Sequence, residues 1–401
     1  MTHPALAGGP VYLDYNATTP VDPEALEVAL PYLTTHFGNP SSGHHYAGAP
    51  RRAVEQARGQ MAGLLGAAPE EIVFTGGGSE ADTLAIRGAA LGSRRRRVVT
   101  LATEHPAVLR SCDSLRAEGF TVTLLPVDGH GRADPGDLRA AVREAALVSI
   151  AYGNSETGTL QPIAELAAIA RDAGALFHTD AAQAVGKVPI DVDALGVDLL
   201  TVVGHKMYAP KGVGALYVRS GTPLHPVIHG GGQEGGLRAG TENVAFIAAL
   251  GRAAEIAARE LPGSAVRLAI LRDLLRAELE AALPGRVLLN GHPTERLPGT
   301  LNVSVEGVSG RAMLAAVPGI AASTGSACHE GVDAPSPVLL AMGLPAERAL
   351  AALRLSLGRW STEQEVRLAA HLIAEAVVTP PVMGVTTAPA VRPARRSGRA
   401  G

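Results

Sequence analysis

Asp198-Leu199-Leu200-Thr201-Val202-Val203-Gly204-His205-Lys206-Met207-Tyr208-Ala209-Pro210-Lys211-Gly212 brings a lysine to the end of an apolar run. Residues 198–203 are mostly apolar and β-branched, so they read as a buried strand that Gly204 interrupts and residues 209–212 turn. Lys206 is therefore expected at a strand's carboxyl end, the edge of an open α/β sheet where ligands bind. An amine held there, away from bulk water, has a lowered pKa and can form a Schiff base. A lone lysine is more often a solvated loop residue, and only a second residue changes that balance.

The second residue is Asp180. Residues 175–179 look like the preceding strand, so Asp180 ends it in an equivalent place, 26 residues before Lys206, enough for one crossover connection. A Schiff-base lysine beside a carboxylate that keeps a pyridine nitrogen protonated is the pair that pyridoxal 5'-phosphate requires, because the protonated ring is the electron sink. Alone, Asp180 reads equally well as the N-cap of a segment starting at Ala181.

Outward from this pair the chain alternates. Strands are expected at 71–75, 98–101, 121–125, 147–152 and 213–218, and helices at 49–65, 84–91, 106–118 and 137–144, with Asp22-Pro23 capping an earlier one. Such alternation predicts an α/β fold with a mostly parallel sheet. Gly76-Gly77-Gly78-Ser79-Glu80-Ala81-Asp82 follows a strand and opens a helix, so its N–H groups form a phosphate cradle. It has neither Walker spacing nor a dinucleotide fingerprint. His105, in Thr103-Glu104-His105-Pro106, either stacks on a flat cofactor ring or bonds locally at a helix start. Gly153-Asn154-Ser155-Glu156-Thr157-Gly158 offers amides and hydroxyls at the same edge. The loop 37–45 around Asn39 is a connection or a piece of active-site wall, and the glycine-rich loop 229–243 is expected to serve function or an interface.

Helices at 243–260 and 266–283 lead into a changed rhythm, with short strands at 287–290, 300–305, 320–322 and 352–357 and helices at 311–316, 337–342 and 363–378. The expected layout is a flexible start (1–10), a large domain (11–262), a smaller α+β domain (263–379) and a disordered tail (380–401). Residues 25–29 are expected to pack against the smaller domain. Cys328 sits in a small-residue loop beside His329, an environment that favours an exposed thiolate. Cys112, on a helical pattern, reads as inert core. Arg354 lies on an apolar strand and either has a structural carboxylate partner or awaits a substrate carboxylate; its planar fork suits the latter.

Composition limits the remaining classes. With 401 residues, 46% of them apolar, the chain builds a large core as a soluble globular protein. A net charge of −3 argues for neither a nucleic-acid nor a membrane-surface partner, neither of which is expected, and the run Arg94-Arg95-Arg96-Arg97 reads as a solvated loop. Two distant cysteines, without a signal peptide or a membrane-length apolar run, imply a reducing, cytoplasmic setting. No metal site is expected.

Taken in order, Lys206, Asp180, the glycine cradle, His105, Cys328 and Arg354 make the chain resemble the cysteine desulfurases, of the fold-type I pyridoxal phosphate class, over about residues 11–378. The motifs that carry this are Tyr12-Leu13-Asp14-Tyr15-Asn16-Ala17-Thr18-Thr19-Pro20, Phe37-Gly38-Asn39-Pro40, Thr103-Glu104-His105, His178-Thr179-Asp180-Ala181-Ala182-Gln183, Gly204-His205-Lys206 and Gly325-Ser326-Ala327-Cys328. The resemblance implies a large domain with a mostly parallel seven-stranded sheet and a smaller α+β domain. It implies that Lys206 forms the internal aldimine and moves protons, that His105 stacks on the ring and that Asp180 holds the pyridine nitrogen. Gln183 and Ser155 would approach the phenolic oxygen, and Gly78, Ser79, His205 and Thr241 of the partner subunit would bind phosphate, making the enzyme a homodimer. Arg354 and Asn39 would grip the carboxylate of L-cysteine. Cys328 would take its sulfur as a persulfide, releasing alanine, and pass it to an acceptor such as an iron-sulfur scaffold.

The family usually has Asn at Ser155, Ser at Val203, Arg at Gly235 and Asn at Thr83. Loss of the hydroxyl at Val203 removes a charge-assisted contact worth on the order of 0.5 to 3 kcal/mol, a loss the remaining donors absorb. Two other readings stand beside this one. Val203-Gly204-His205-Lys206, with Ala327-Cys328-His329 followed by Pro335-Ser336-Pro337, also resembles the selenocysteine lyases. A sulfur-handling binding protein that kept the fold without turnover is the reading from another class.

Overall fold

The structure, a computed structural model, describes residues 3–325 and 334–378. Strand β1 (Val11–Tyr12) leads to helix α1 (Pro23–Thr34), which the Asp22 carboxylate caps by accepting the Glu24 N–H at 2.9 Å. Helix α2 (Gly48–Leu65) ends on Gly66 at φ +70°, a left-handed cap that glycine adopts without steric cost. Alternation then begins: β2 (Ile72–Thr75), α3 (Gly78–Leu91), β3 (Arg97–Leu101), α4 (Pro106–Arg116), β4 (Thr121–Leu125), α5 (Pro135–Ala141), β5 (Ala145–Ser149), α6 (Ile163–Asp172), β6 (Leu176–Asp180), α7 (Val192–Leu195), β7 (Leu199–Val203) and β8 (Gly214–Val218). Helix α6 is not among the elements expected from the sequence, although Ile163, Leu166, Ala167 and Ala170 form the i, i+3, i+4, i+7 stripe of such a helix.

These strands make a seven-stranded sheet in the order β2-β8-β7-β6-β5-β3-β4. All pairings from β7 to β4 are parallel, and β8 runs antiparallel to both β2 and β7. The mostly parallel α/β architecture is thus as expected. Successive strand residues face opposite ways: Val99, Val148, Leu200 and Ala215 join the core under α1, α2 and α6, while Val98, Leu147, Leu199 and Leu216 join the core under α3 and α4. Burial on both faces explains why β5, β7 and β8 read as continuous apolar runs.

Beyond β8 come α8 (Val244–Ala282), β9 (Val287–Leu289), β10 (Thr300–Val305), α9 (Gly310–Ala316), β11 (Ile320–Ala321), α10 (Pro337–Ala341), α11 (Ala346–Leu350), β12 (Ala352–Ser356) and α12 (Glu363–Val378). Strands β12, β10 and β9 form an antiparallel sheet in that order, and β1 pairs with β11 in parallel. The structure corrects two expectations here. Instead of two helices at 243–260 and 266–283, α8 is one 39-residue helix running through Pro262. A proline inside a helix costs about 3 kcal/mol, but α8 buries Ile247, Leu250 and Ile256 in its first half and Leu268, Leu271, Leu275 and Leu279 in its second, each worth roughly 1.5–3 kcal/mol. Residues 25–29 do not pack against the C-terminal part either: Ala25 and Ala29 lie in the core beneath the large sheet, and it is Val11 and Leu13 that join the second core with β10, β12 and α12.

Candidate active site

Because β3, β5, β6 and β7 are adjacent and parallel, the turns that follow them open along one sheet edge. Those turns carry His105, Ser155, Asp180 and Lys206. Strand β2 points the same way, two antiparallel steps beyond β7, so the glycine turn before α3 opens there as well.

Lys206 leaves β7 through Gly204, where a Cβ would lie 2.8 Å from the Val213 carbonyl oxygen. Its Nζ donates to the carbonyl oxygens of Asn16 and, at 2.7 Å, Ala17. Burial lowers its pKa to about 8; the Arg354 charge adds to this, while Asp14 and Asp180 oppose it. Asp180 accepts the Ala182 N–H at 2.9 Å, and burial raises its pKa against the pull of that bond, His105 and Lys206. His105 caps α4, its Nδ1 accepting the Ala107 N–H at 3.1 Å, the local bond of the plainer reading. Desolvation lowers its pKa, opposed by Asp180 and helped by Lys206, so amine, acid and imidazole lie within electrostatic range of one another.

Below Asp180 lies a layer that sequence reasoning missed. His178 is fully buried, bonded to Ser149 Oγ at 2.8 Å and to Thr201 Oγ1 at 3.0 Å, and burial lowers its pKa to about 3, leaving it neutral. Asp82 Oδ1 stands 3.8 Å from His178 Nε2. Glu104 Oε1 accepts the Ala151 N–H at 2.8 Å. Asp82 and Glu104 are both buried, and desolvation followed by like charge, chiefly Asp180, pushes each well above the carboxylate range.

The other missed component is the turn after β1. Buried Asn16 donates from Nδ2 to the Ser155 carbonyl at 3.1 Å and to Thr300 Oγ1 at 2.9 Å, while its own carbonyl receives Lys206 and, at 2.9 Å, Gln183 Nε2. Thr18 Oγ1 meets His205 Nδ1 at 3.1 Å, and burial, with Lys206, Lys211 and Lys187 nearby, lowers the His205 pKa to about 4. Arg354 turns out to have a structural partner: one guanidinium nitrogen donates to Asp14 Oδ1 at 2.7 Å and another to the Ser155 carbonyl at 3.3 Å. Its buried Nε has no acceptor among the described residues.

In the cradle, Gly77 adopts φ +143°, and a Cβ on Gly78 would lie 2.5 Å from Val203 Cγ2, so Val203 packs directly beneath the helix start. The N–H groups of Gly78 and Ser79 lie in the first helical turn, which offers them no internal acceptor. Glu80 takes the Gly76 N–H at 3.0 Å and is paired with Arg238 at 2.8 Å, tying the glycine-rich loop to the cradle. Thr83 Oγ1 bonds back to the Ser79 carbonyl at 2.6 Å. Thr241 is exposed. Asn39 is exposed too, its Oδ1 accepting the Ser41 N–H at 2.9 Å, and it shares no hydrogen bond with Arg354 among the described residues. Cys328 lies outside the described residues. Before it, Ser323 pairs with Arg354 through the backbone at 2.7 Å; after it, Ser336 donates to Glu156 at 2.5 Å. Cys112 is buried, its thiol pushed up to about 12 by desolvation, as an inert core residue should be.

A parallel sheet with a lysine, an acid and a glycine cradle along its carboxyl edge defines a class, and the family model for class-V aminotransferases matches residues 11–368. The chain is 48% identical over 374 residues to "Cysteine desulfurase IscS" of Anaeromyxobacter dehalogenans, covering 92% of each, and 47% identical over 371 residues to "Cysteine desulfurase" of Trichormus azollae, again 92% of each. Among solved structures it is similar to a "NifS-like protein" at TM-score 0.86 and 36% identity, covering 92% of this chain and 99% of that one. DndA from Streptomyces lividans is similar at TM-score 0.71 and 38% identity, with 85% and 97% covered. Within the class-V aminotransferases, the chain belongs to the cysteine desulfurase family.

Proposed function

We propose that the chain is a cytoplasmic, homodimeric enzyme that removes sulfur from L-cysteine, giving L-alanine and a persulfide on Cys328 for delivery to an acceptor such as an iron-sulfur scaffold. Its working unit would be a large domain over 11–262 and a smaller one over 263–379. The observation that carries this reading is Lys206 and Asp180 on the ends of neighbouring parallel strands, each altering the other's proton affinity.

The residues present fit pyridoxal phosphate. Asp180 has one oxygen engaged by Ala182 and no second hydrogen bond among the described residues, and Gly78 and Ser79 offer N–H groups at a helix start packed on Val203. The bound cofactor would supply an electron sink for the substrate's carbon. Lys206, with a pKa near 8, is partly neutral at physiological pH and so available as a nucleophile and proton carrier. Asp180 would hold a proton at the pyridine nitrogen and His105 would lie against the ring. Ser155 and Gln183 would face the phenolic oxygen, and Thr241 of the partner subunit would complete the phosphate site. Arg354, with its buried Nε unpaired, receives the substrate carboxylate together with Asn39. Cys328 Sγ attacks the substrate sulfur, the electron pair of the broken carbon–sulfur bond passes to carbon, and Lys206 delivers the proton that completes alanine.

The test is purified protein incubated with L-cysteine, pyridoxal phosphate and a thiol reductant. Alanine and sulfide are expected in equal amounts, with both lost in Cys328→Ala and Lys206→Ala. Bound cofactor without alanine would overturn the reading in favour of a binding protein. A Cys328→Ala variant that still releases selenide from selenocysteine would favour the lyase.

A further inference from the structure

Lys187 is a half-buried lysine in the cavity behind Lys206, and it has no carboxylate within ion-pairing distance among the described residues. Its one polar partner there is Gln183: Nζ donates to Gln183 Oε1 at 2.7 Å. Gln183 is itself 4% exposed, and its Nε2 donates at 2.9 Å to the Asn16 carbonyl, the acceptor that Lys206 also uses. The two ends of a carboxamide are nearly the same in shape, so packing alone does not decide which end faces the crevice. Two neighbours decide it together: the Asn16 carbonyl, which only accepts, at one end, and the Lys187 ammonium, which only donates, at the other. With Lys187 behind, the oxygen of Gln183 must point back and its NH2 must point forward, toward Asn16 and Lys206.

We propose that Lys187 is a positioning residue: by holding Gln183 Oε1 it fixes the carboxamide so that Gln183 presents an N–H, rather than a carbonyl, to the phenolic oxygen of pyridoxal phosphate. This rests on the cofactor reading given above. An N–H there stabilises the oxygen as an anion, whereas a flipped amide would set two acceptors against each other. Burial beside Lys206 and Arg354 lowers the Lys187 pKa to about 7; the neutral amine still donates to Oε1 but gains an acceptor lone pair, so its ordering of the amide is strongest below that pH. A methionine at the same place fills the volume and leaves the Asn16 carbonyl to hold the amide from one end, so the flipped form gains population.

The experiment is a double-mutant cycle with pyridoxal phosphate as the probe, following its dissociation constant and its absorption spectrum in wild type, Lys187→Met, Gln183→Ala and the pair. Lys187→Met is expected to weaken binding about three- to tenfold and to move absorption toward the short-wavelength form in which the phenolic oxygen carries a proton. The pair should behave as Gln183→Ala alone, since Lys187 acts only through that amide. Lys187→Arg, which keeps a donor, should restore the spectrum. Melting of each cofactor-free variant separates misfolding from this effect. Additive losses in the pair, or an unchanged spectrum in Lys187→Met, would overturn the proposal while leaving the cofactor reading intact. A wild type that binds no pyridoxal phosphate would overturn both.

Discussion

Three buried carboxyl groups crowd the floor of the crevice, and single-residue environment decides which of them is charged. Asp180 has an N–H bond and two neighbours that carry positive charge when protonated, His105 and Lys206. Asp82 and Glu104 have no cation among the causes acting on them, and each keeps one oxygen that no donor reaches. Ionising all three within one buried, mutually interacting group in low dielectric is far costlier than protonating two. Of the three, Asp180 has the neighbours that favour charge, and Asp82 holds its proton well above the usual carboxylate range. The sign for stability follows: Asp82's folded pKa is raised, so between its ordinary value and the folded one the native state binds the extra proton. Its stabilising contribution is full below the unfolded pKa and is lost as pH rises, at up to about 1.4 kcal/mol per pH unit. Asp82→Asn should thus gain on wild type as pH is raised above the ordinary carboxylate value, read from melting temperatures. Parallel curves for the two proteins would show that Asp82 is ionised in the fold. Asp82 heads the stripe Ala85, Ile86, Ala89 on α3, an acid on a buried helix face, and that spacing was the signal available in the sequence.

Elements were more legible than partners, because strand ends and caps are local. Asp22-Pro23, the cradle and the Lys206 turn all occur where propensity and spacing put them, and so do β2 to β8, except that β5 starts two residues earlier and ends three earlier than expected. The 261–265 segment misled because Leu261-Pro262-Gly263 carries two strong helix breakers, yet both flanks of α8 have a core to enter. Propensity lost to burial on either side. This predicts the sign of a substitution: Pro262→Ala restores a donor for the carbonyl four residues back and removes the ring clash. It should raise the melting temperature, with a gain of at most about 3 kcal/mol. A variant that melts lower than wild type would mean that the two halves of α8 require the bend proline imposes.

At the scale of the whole molecule, two cores meet at the crevice, joined by α8 and by the turn after β1. No local pattern reveals that turn's role, because its partners are remote in sequence: Asp14 reaches Arg354 across 340 positions and Asn16 reaches Thr300 across 284. Lys206 and Asp180 could be paired from the sequence because both end strands of one sheet; Asn16 becomes legible only once β1 lies beside β11 and Asp14 beside Ser356. Its side chain bridges Ser155, on the cofactor side, to Thr300 on the other core, and Arg354 bonds the same Ser155 carbonyl from that second core. Asn16 thus registers the proposed carboxylate-binding arginine against the proposed cofactor edge. Asn16→Ala removes both side-chain bonds but keeps the carbonyl that receives Lys206 and Gln183, so the loss should fall on substrate rather than on cofactor. The expected result is a KM for L-cysteine raised roughly five- to fiftyfold, equivalent to about 1–2.3 kcal/mol of lost hydrogen bonding, with pyridoxal phosphate affinity within about twofold of wild type. If cofactor affinity fell in proportion to KM, the turn would be supporting Lys206 alone, and the two cores would be held in register by α8 without it.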